Sequence, residues 1–167
     1  MAKKQAKTLD ELFLETLKDI YFAEKKILTA LPKMKKAAQS DELADAFEKH
    51  RDETEGQVER LERVFELMEE KAKGKNCPAI LGIIDEGEDI IKDFKGSPAL
   101  DAGLLSAAQA VEHYEISRYG TLKAWARELG MNEAARLLDE TLEEEIKTDE
   151  ALTKIAESAI NQNAEAA

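Results

Sequence analysis

The chain has 167 residues, of which 36 are acidic and 24 are basic, and its formal net charge is −12. This length fits one domain, residues 1–167, with enough chain to bury a core, and the negative charge argues against binding to nucleic acid. No apolar run approaches the roughly 20 residues that span a bilayer, and "MAKKQAKTLDELF" lacks the apolar core of a secretion signal, so we expect a cytoplasmic protein outside the membrane.

The first predicted element is a long helix over about residues 9–38. Thr8 followed by Glu11 forms a capping-box pattern at its start, and Pro32 should bend or loosen it. A second long helix follows Ser40, a suitable N-cap residue, and is predicted to end near "KGKNCP", where glycine, asparagine and proline supply stop signals.

A shorter connecting helix is predicted for "AILGIIDEGEDIIKDF", because its isoleucines share one face. "GSPALD" combines a serine cap with a first-turn proline and predicts the start of a third long helix, which ends at Gly130. Asn132 then opens a last helix to about residue 160. Residues 1–7 and 161–167 are predicted to be flexible tails.

These elements predict an all-α protein. Four long helices, with a short extra helix between the second and the third, are typical of a four-helix bundle with a crossover connection. A helical solenoid is disfavoured because no repeat of fixed length recurs three times.

Each long helix has an apolar seam at alternating steps of three and four residues, and each seam turns polar near its middle. The four seams are Phe13, Leu17, Ile20, Glu24, Ile27, Leu31 and Met34; Leu43, Phe47, His50, Thr54, Gln57, Leu61, Val64 and Met68; Leu104, Ala108, Val111, Glu115, Arg118, Leu122, Ala126 and Leu129; and Ala134, Leu138, Thr141, Glu145, Thr148, Leu152, Ile155 and Ala159. Glu53, Glu112 and Asp149 lie beside these seams. Every long helix therefore carries an acid on or beside its inward face.

Several carboxylates in one core must be protonated, hydrated or neutralised by cations, because desolvation and mutual repulsion penalise them. Divalent cations do this best. Carboxylates with one imidazole suit iron or manganese, and a thiolate-based zinc site is excluded because Cys77 is the one cysteine. A pair of ions explains the number of acids, since a carboxylate can bridge two metals.

The same residues also have simpler explanations. A single seam glutamate such as Glu24 usually pairs with lysine or reaches solvent, and a lone histidine is more often a hydrogen-bonded core group than a ligand. His50 is nevertheless a candidate ligand, because it shares a helix face with Glu53 at a spacing of three. His113 lies off the seam and is assigned a boundary role. Tyr21 and Tyr114 are interpreted as packing residues with solvated hydroxyls.

The chain resembles the ferritin-like superfamily and, within it, the YciF/YciE-type bacterial stress proteins. The resemblance covers "LDELFLETLKDIYFAEKKILTALPKM", "FEKHRDETEGQVERLERVFE", "AAQAVEHYEISRYGTLKAWARELG" and "LLDETLEEEIKTDEALTKIA". The pair Glu112 and Glu115 is similar to that in rubrerythrin-type members. By position, the resemblance implies Glu24, Glu53, Glu115 and Glu145 as the first metal ligands, followed by Glu112 and Asp149.

The sequence departs from the ferritin-like pattern in which two helices each supply Glu-x-x-His. The second helix has His50-x-x-Glu53, the reverse order, and the last helix has Glu145 followed by Thr148 and Asp149. The fold is unaffected by this change, whereas the metal and its redox activity depend on it. The resemblance implies a stress-associated, cytoplasmic, dimeric protein. The leading hypothesis is that it binds two iron or manganese ions that react with peroxide or dioxygen; the substrate stays open.

Two other functions remain. One is a structural or interaction bundle with a polar middle and no catalytic metal. The other is an iron-storing cage that coats DNA through "MAKKQAK", which ranks low because three lysines oppose a net charge of −12. Phe65, Leu67 and Trp125 are candidates for an outward apolar surface between the subunits of a homodimer.

Overall fold

The computed structural model describes residues 6–166, and all regular structure within that range is helical. The prediction of an all-α protein is therefore confirmed. The elements are α1 (Leu9–Ala37), α2 (Asp41–Leu67), α3 (Pro78–Asp93), α4 (Leu100–Glu128), α5 (Asn132–Ile155), a π-helical turn (Ala156–Ile160) and α6 (Asn161–Glu165).

The four long helices form a bundle in which α1 and α5 each pack against both α2 and α4. Asp101, in the first turn of α4, accepts hydrogen bonds from the backbone N–H groups of Gln39 at 2.8 Å and Ser40 at 2.7 Å. The start of α4 thus lies beside the turn between α1 and α2. It follows that α4 runs parallel to α2, and that the connection between them must return along the length of the bundle.

The crossover makes this return in two parts. The segment 68–77 lies along α1, where the backbone N–H of Lys75 donates to the carbonyl of Lys18 at 3.0 Å. The short helix α3 then packs on the outside of α4 and α1, and Lys33 of α1 pairs with Glu88 of α3 at 2.7 Å. The predicted four-helix bundle with an extra crossover helix is confirmed.

The helix ends show where local signals were sufficient. The capping box of Thr8 and Glu11 is present, and Gly130 ends α4 with a φ of +73°, a left-handed conformation that glycine adopts without strain. In contrast, α2 ends at Leu67, well before "KGKNCP". Glu69 has a φ of +55°, and its N–H turns back to the carbonyl of Glu66, so the chain leaves the helix there.

The start of α4 also differs from the prediction. Ser97 does not cap this helix, which begins at Leu100 after the N-cap residue Ala99. The Ser97 hydroxyl accepts from the N–H of Ala99 at 3.2 Å, and its carbonyl accepts from Leu100 at 3.1 Å. The serine therefore closes a turn that precedes the helix.

The C-terminal helix is longer and less regular than predicted. The π-helical turn adds a residue to the repeat, so that Ala156 and Ile160 are buried while Ala159, predicted on the seam, is exposed. Asn161–Glu165, part of a predicted tail, is helical. Residues 1–5 and 167 of the predicted tails lie outside the described residues.

The apolar positions of all four seams supply the core above and below the middle of the bundle. Phe13, Leu17, Leu43 and Leu104 are among the fully buried side chains. The prediction of Phe65 as an outward residue is wrong: its ring is buried and meets Tyr21 edge-on, with ring centroids 5.5 Å apart. The core thus surrounds a polar layer.

Candidate metal centre

The polar positions of the four long helices meet in the middle of the bundle. Glu24 comes from α1, His50 from α2, Glu112 and Glu115 from α4, and Glu145 from α5. All five side chains are buried; His50 is 3% exposed and the four glutamates are 0% exposed. The inward direction predicted for these residues is confirmed.

Four of them converge closely enough to share one ion. His50, Glu112, Glu115 and Glu145 each offer a ligand atom, and these atoms all lie within 4.8 Å of one another. His50 Nδ1 is 3.0 Å from Glu112 Oε1, and His50 Nε2 is 3.8 Å from Glu145 Oε2. We call these four residues the mid-bundle cluster.

Glu24 lies against the mid-bundle cluster. Tyr119 donates a hydrogen bond from its hydroxyl to Glu24 Oε1. Burial and the neighbouring Glu145 carboxylate raise the pKa of Glu24 to about 8, whereas the hydrogen bond from Tyr119 lowers it. The Glu24 carboxyl group thus interacts with the charge of Glu145, while its Oε1 accepts the hydrogen bond from Tyr119.

The other three carboxyl groups also resist ionisation. Burial raises the pKa of Glu112 to about 8, and the charge of Glu24 adds to that rise. Burial raises the pKa of Glu115 well above its usual value, and the Glu24 charge adds to this; for Glu145, burial acts together with the Glu112 charge. The layer is therefore stable only with its negative charge neutralised, by protons or by cations.

Most of the possible ligand atoms in the layer are buried and have no hydrogen-bond partner. Both carboxylate oxygens of Glu112 and of Glu115, and one oxygen each of Glu24 and Glu145, are buried without a hydrogen-bond partner. His50 Nε2 is in the same condition. Buried polar atoms in native proteins are nearly always paired, so a group of such atoms facing each other is the arrangement expected of metal ligands.

Neighbouring polar residues orient the cluster. The Gln57 side-chain amide donates to Glu145 Oε1 and, at 3.2 Å, to Glu144 Oε2. Arg60 in turn donates to both oxygens of Glu144, which fixes α2 against α5. Gln57, a polar residue predicted on the seam of α2, therefore holds a carboxylate of the cluster in place. Supporting bonds of this kind are typical of metal sites.

Glu53 and Asp149 lie at the edge of the polar layer. The Glu53 side chain is 28% exposed and pairs with Lys49 at 2.9 Å. The Asp149 side chain is 22% exposed, accepts from Gln109 at 3.0 Å, and lies 3.3 Å from His113 Nε2. The structure thus does not bring these two predicted ligands into the mid-bundle cluster; their role as ligands stays a prediction.

The sequence pattern assigned one seam position of α4 to the wrong residue. Arg118 is half-exposed and lies over the ring of Tyr114, whereas Tyr119 is fully buried and reaches Glu24. Tyr119 follows Glu115 by four residues, one helical turn, so this spacing was the available signal.

The chemistry of the donor set favours hard or borderline metal ions. Carboxylate oxygens with one imidazole suit iron and manganese. Cys77, the one thiol of the chain, caps α3 and lies 3.1 Å from the Tyr114 hydroxyl, outside the mid-bundle cluster. The Tyr114 hydroxyl also donates to Asp19 at 3.0 Å, and the Tyr21 hydroxyl donates to Glu62 at 2.8 Å, so both tyrosines bind carboxylates outside the cluster.

Among the described residues, no helix has the length and apolar character needed to cross a membrane.

Comparisons with known proteins identify the family. Residues 8–165 match DUF892, described as a domain of unknown function. The protein YciF of Escherichia coli strain K12 is 44% identical over 160 residues, which are 95% of this chain and 96% of that protein.

Solved structures give the same result. The E. coli stress protein YciF has a TM-score of 0.89 at 43% identity, covering 93% of this chain and 99% of the other. YcfI of Rhodopseudomonas palustris, a candidate structural protein, has a TM-score of 0.86 at 42% identity, covering 92% and 98%. The chain belongs to the DUF892 family and is similar to YciF along nearly its whole length.

Proposed function

We propose that this DUF892-family protein is a cytoplasmic, stress-associated metal protein that holds two iron or manganese ions in the middle of its bundle. The mid-bundle cluster would supply the first ligands, with Glu24 as a further one. Glu53 and Asp149 are the outermost candidates. When bound, iron or manganese supplies electron-transfer chemistry toward peroxide or dioxygen.

One observation carries this proposal: the mid-bundle cluster gathers a histidine and three glutamates within 4.8 Å, all buried, with most of their ligand atoms lacking a hydrogen-bond partner. Replacing a buried ion pair with apolar residues is often neutral or stabilising, so a cluster of buried carboxylates adds little to stability by itself. The cluster is built from three separate helices, with Glu24 of the fourth against it, and this convergence indicates a binding role.

The remaining residues have supporting roles. Tyr119 and Gln57 each donate to one carboxylate oxygen and so direct the other oxygen toward the centre of the cluster. The apolar residues above and below exclude water, which strengthens every electrostatic contact within the layer. The number of carboxylates supports two ions, since one ion with a +2 charge would not balance four glutamates.

Metal titration tests the proposal. Purified protein stripped with a chelator should take up close to two Mn(II) ions per chain, measured by calorimetry and by metal analysis after dialysis. Glu112→Gln combined with Glu115→Gln should remove this binding. Glu143→Gln, on the exposed side of α5, is the matched control and should bind like the wild type. Wild-type protein that stays empty in excess Mn(II) and Fe(II) would refute the proposal.

A second function is favoured by the bonds from Tyr119 and Gln57 and by the structural-protein description of YcfI. A bundle with protonated carboxyl groups in its middle needs no metal. Replacing Glu53 and Glu145 with leucine should then raise the melting temperature and leave stress survival unchanged. Lost stress protection at an unchanged melting temperature would contradict this alternative.

A homodimer is part of the proposal. Leu67 and Trp125, expected at its surface, are half-buried in the single chain, which leaves apolar area for a partner. Light scattering should give twice the chain mass of 18.6 kDa. The monomer mass, or a mass of many subunits, would exclude the dimer.

A further inference from the structure

An apolar cavity of about 30 Å³ lies between α1, α3 and α4 and reaches the candidate metal centre. Its walls are mainly apolar side chains, among them Ile27 of α1 and Ile83 and Ile84 of α3. His50 and Glu112 of the mid-bundle cluster line the same cavity. The exposed ion pair of Lys33 and Glu88 also borders it, so the cavity lies between solvent and the cluster.

Small residues at the contact of α3 with α4 leave this space. At Gly103, an added Cβ would lie 2.6 Å from Ile90 Cγ2, which shows how closely the two helices approach there. At Gly87 the nearest atom to an added Cβ is Ala107 Cβ, at 3.5 Å, an ordinary contact distance. Gly87 and Ala107 both line the cavity, so their small size maintains it.

The size and walls of the cavity define what it can hold. A single water molecule needs about 10–15 Å³ and two to four polar partners. The cavity has about twice that volume, and its polar groups come from the cluster and from the exposed ion pair, not from the walls. A hydrated ion is therefore too large and too poorly solvated there, whereas a small apolar molecule fits.

We propose that the cavity beneath α3 is the binding site through which a small, uncharged, apolar substrate, of the size of a diatomic gas, reaches the mid-bundle cluster. This inference rests on the proposed function for its substrate role. It assigns α3 a part in the site: the crossover helix supplies one wall of the approach. Neither Glu53 nor Asp149, the outermost candidate ligands, lines this cavity. The cavity is therefore separate from the edge of the polar layer where these two acids lie.

Xenon binding tests the cavity directly, because xenon occupies dry apolar cavities. Xenon titration followed by nuclear magnetic resonance of 129Xe should show one saturable site in the metal-free, full-length protein. Gly87→Ala should weaken xenon binding by about tenfold, since one added methyl group takes up much of the space, and Gly87→Leu should abolish it. Gly82→Ala and Gly82→Leu are matched controls on the exposed side of α3, where nothing lies within 4 Å of an added Cβ.

A second measurement tests the contact with the candidate metal centre. Loading with Mn(II) should shorten the relaxation time of bound xenon strongly in the wild type and in Gly82→Ala. No saturable xenon site in the wild type, or binding that both Gly87 variants leave unchanged, would overturn the inference even if Mn(II) binds. If Mn(II) does not bind, both the proposed function and the substrate role of the cavity are refuted, even where the protein binds xenon.

Discussion

Raising the pH should destabilise the metal-free protein over a range in which most proteins change little. Glu24 and Glu112 have pKa values of about 8 in the folded protein, against 4.5 for an ordinary glutamate. Between these values the folded protein keeps protons that the unfolded chain has lost. Their contribution to stability is complete below about pH 4.5 and disappears as the pH rises through 8.

The expected magnitude follows from the number of protons. Each retained proton lowers the unfolding free energy by about 1.4 kcal/mol per pH unit, so that Glu24 and Glu112 together give about 3 kcal/mol per unit. The raised pKa values of Glu115 and Glu145 act in the same direction and make the slope steeper. For a chain of this length, that corresponds to a fall of the melting temperature by about 8 °C per pH unit. Urea denaturation of chelator-treated protein at several pH values between 5.5 and 7.5 measures the slope.

Glu24→Gln isolates one of these groups. The amide keeps an oxygen that can accept the hydrogen bond from Tyr119 but carries no titratable proton, so the slope should become shallower by about 1.4 kcal/mol per pH unit. Glu143→Gln, an exposed change on α5, should leave the slope as it is in the wild type. A wild-type slope near zero, or a stability that rises with pH over this range, would refute the assignment of raised pKa values to the cluster.

Three further predictions follow from single contacts. Asp101→Ala leaves the N–H groups of Gln39 and Ser40 without their carboxylate acceptor and should cost about 2–3 kcal/mol in urea unfolding. Gly130→Ala should destabilise by about 1–2 kcal/mol because its φ is +73°, whereas Gly56→Ala, inside α2 with free space around its Cβ, should stabilise by up to about 1 kcal/mol. Tyr119→Phe removes the hydrogen bond that lowers the pKa of Glu24, so the affinity for Mn(II) at pH 7, measured by calorimetry, should fall about tenfold. An affinity equal to that of the wild type would contradict this role of Tyr119.

The bundle was predictable from the sequence because its helices are long, their seams are regular, and the first two start at ordinary side-chain caps, Thr8 and Ser40. Errors occurred where tertiary contacts replaced these local signals. The end of α2 depends on the left-handed conformation of Glu69. Glutamate seldom adopts this conformation, so the sequence does not predict it. The π-helical turn near Ala156 depends on packing at the end of α5, and it moved Ala159 out of the core.

The candidate site was predictable in its position but not in its composition. Following the seams located the inward carboxylates, because helical spacing fixes the direction of a side chain. The same spacing cannot tell whether a residue beside the seam reaches the centre or the edge. Glu112 and Glu53 both lie one position off the seam, yet the first is fully buried and the second is partly exposed. The difference depends on how α4 and α2 are rotated in the bundle.

Protons and cations compete for the same oxygens, and this competition distinguishes a metal centre from a polar structural layer. At pH 7 a carboxyl group with a pKa of about 8 is mostly protonated, as expected for Glu24 and Glu112. A metal ligated by these groups must displace their protons. Mn(II) titration calorimetry in two buffers of different ionisation enthalpy should therefore report release of at least about two protons at pH 7 as the site fills, from Glu24 and Glu112, and the raised pKa values of Glu115 and Glu145 add to this number. Metal bound at the surface, to acids already ionised at pH 7, would release almost none, and that result would place the bound ions outside the bundle.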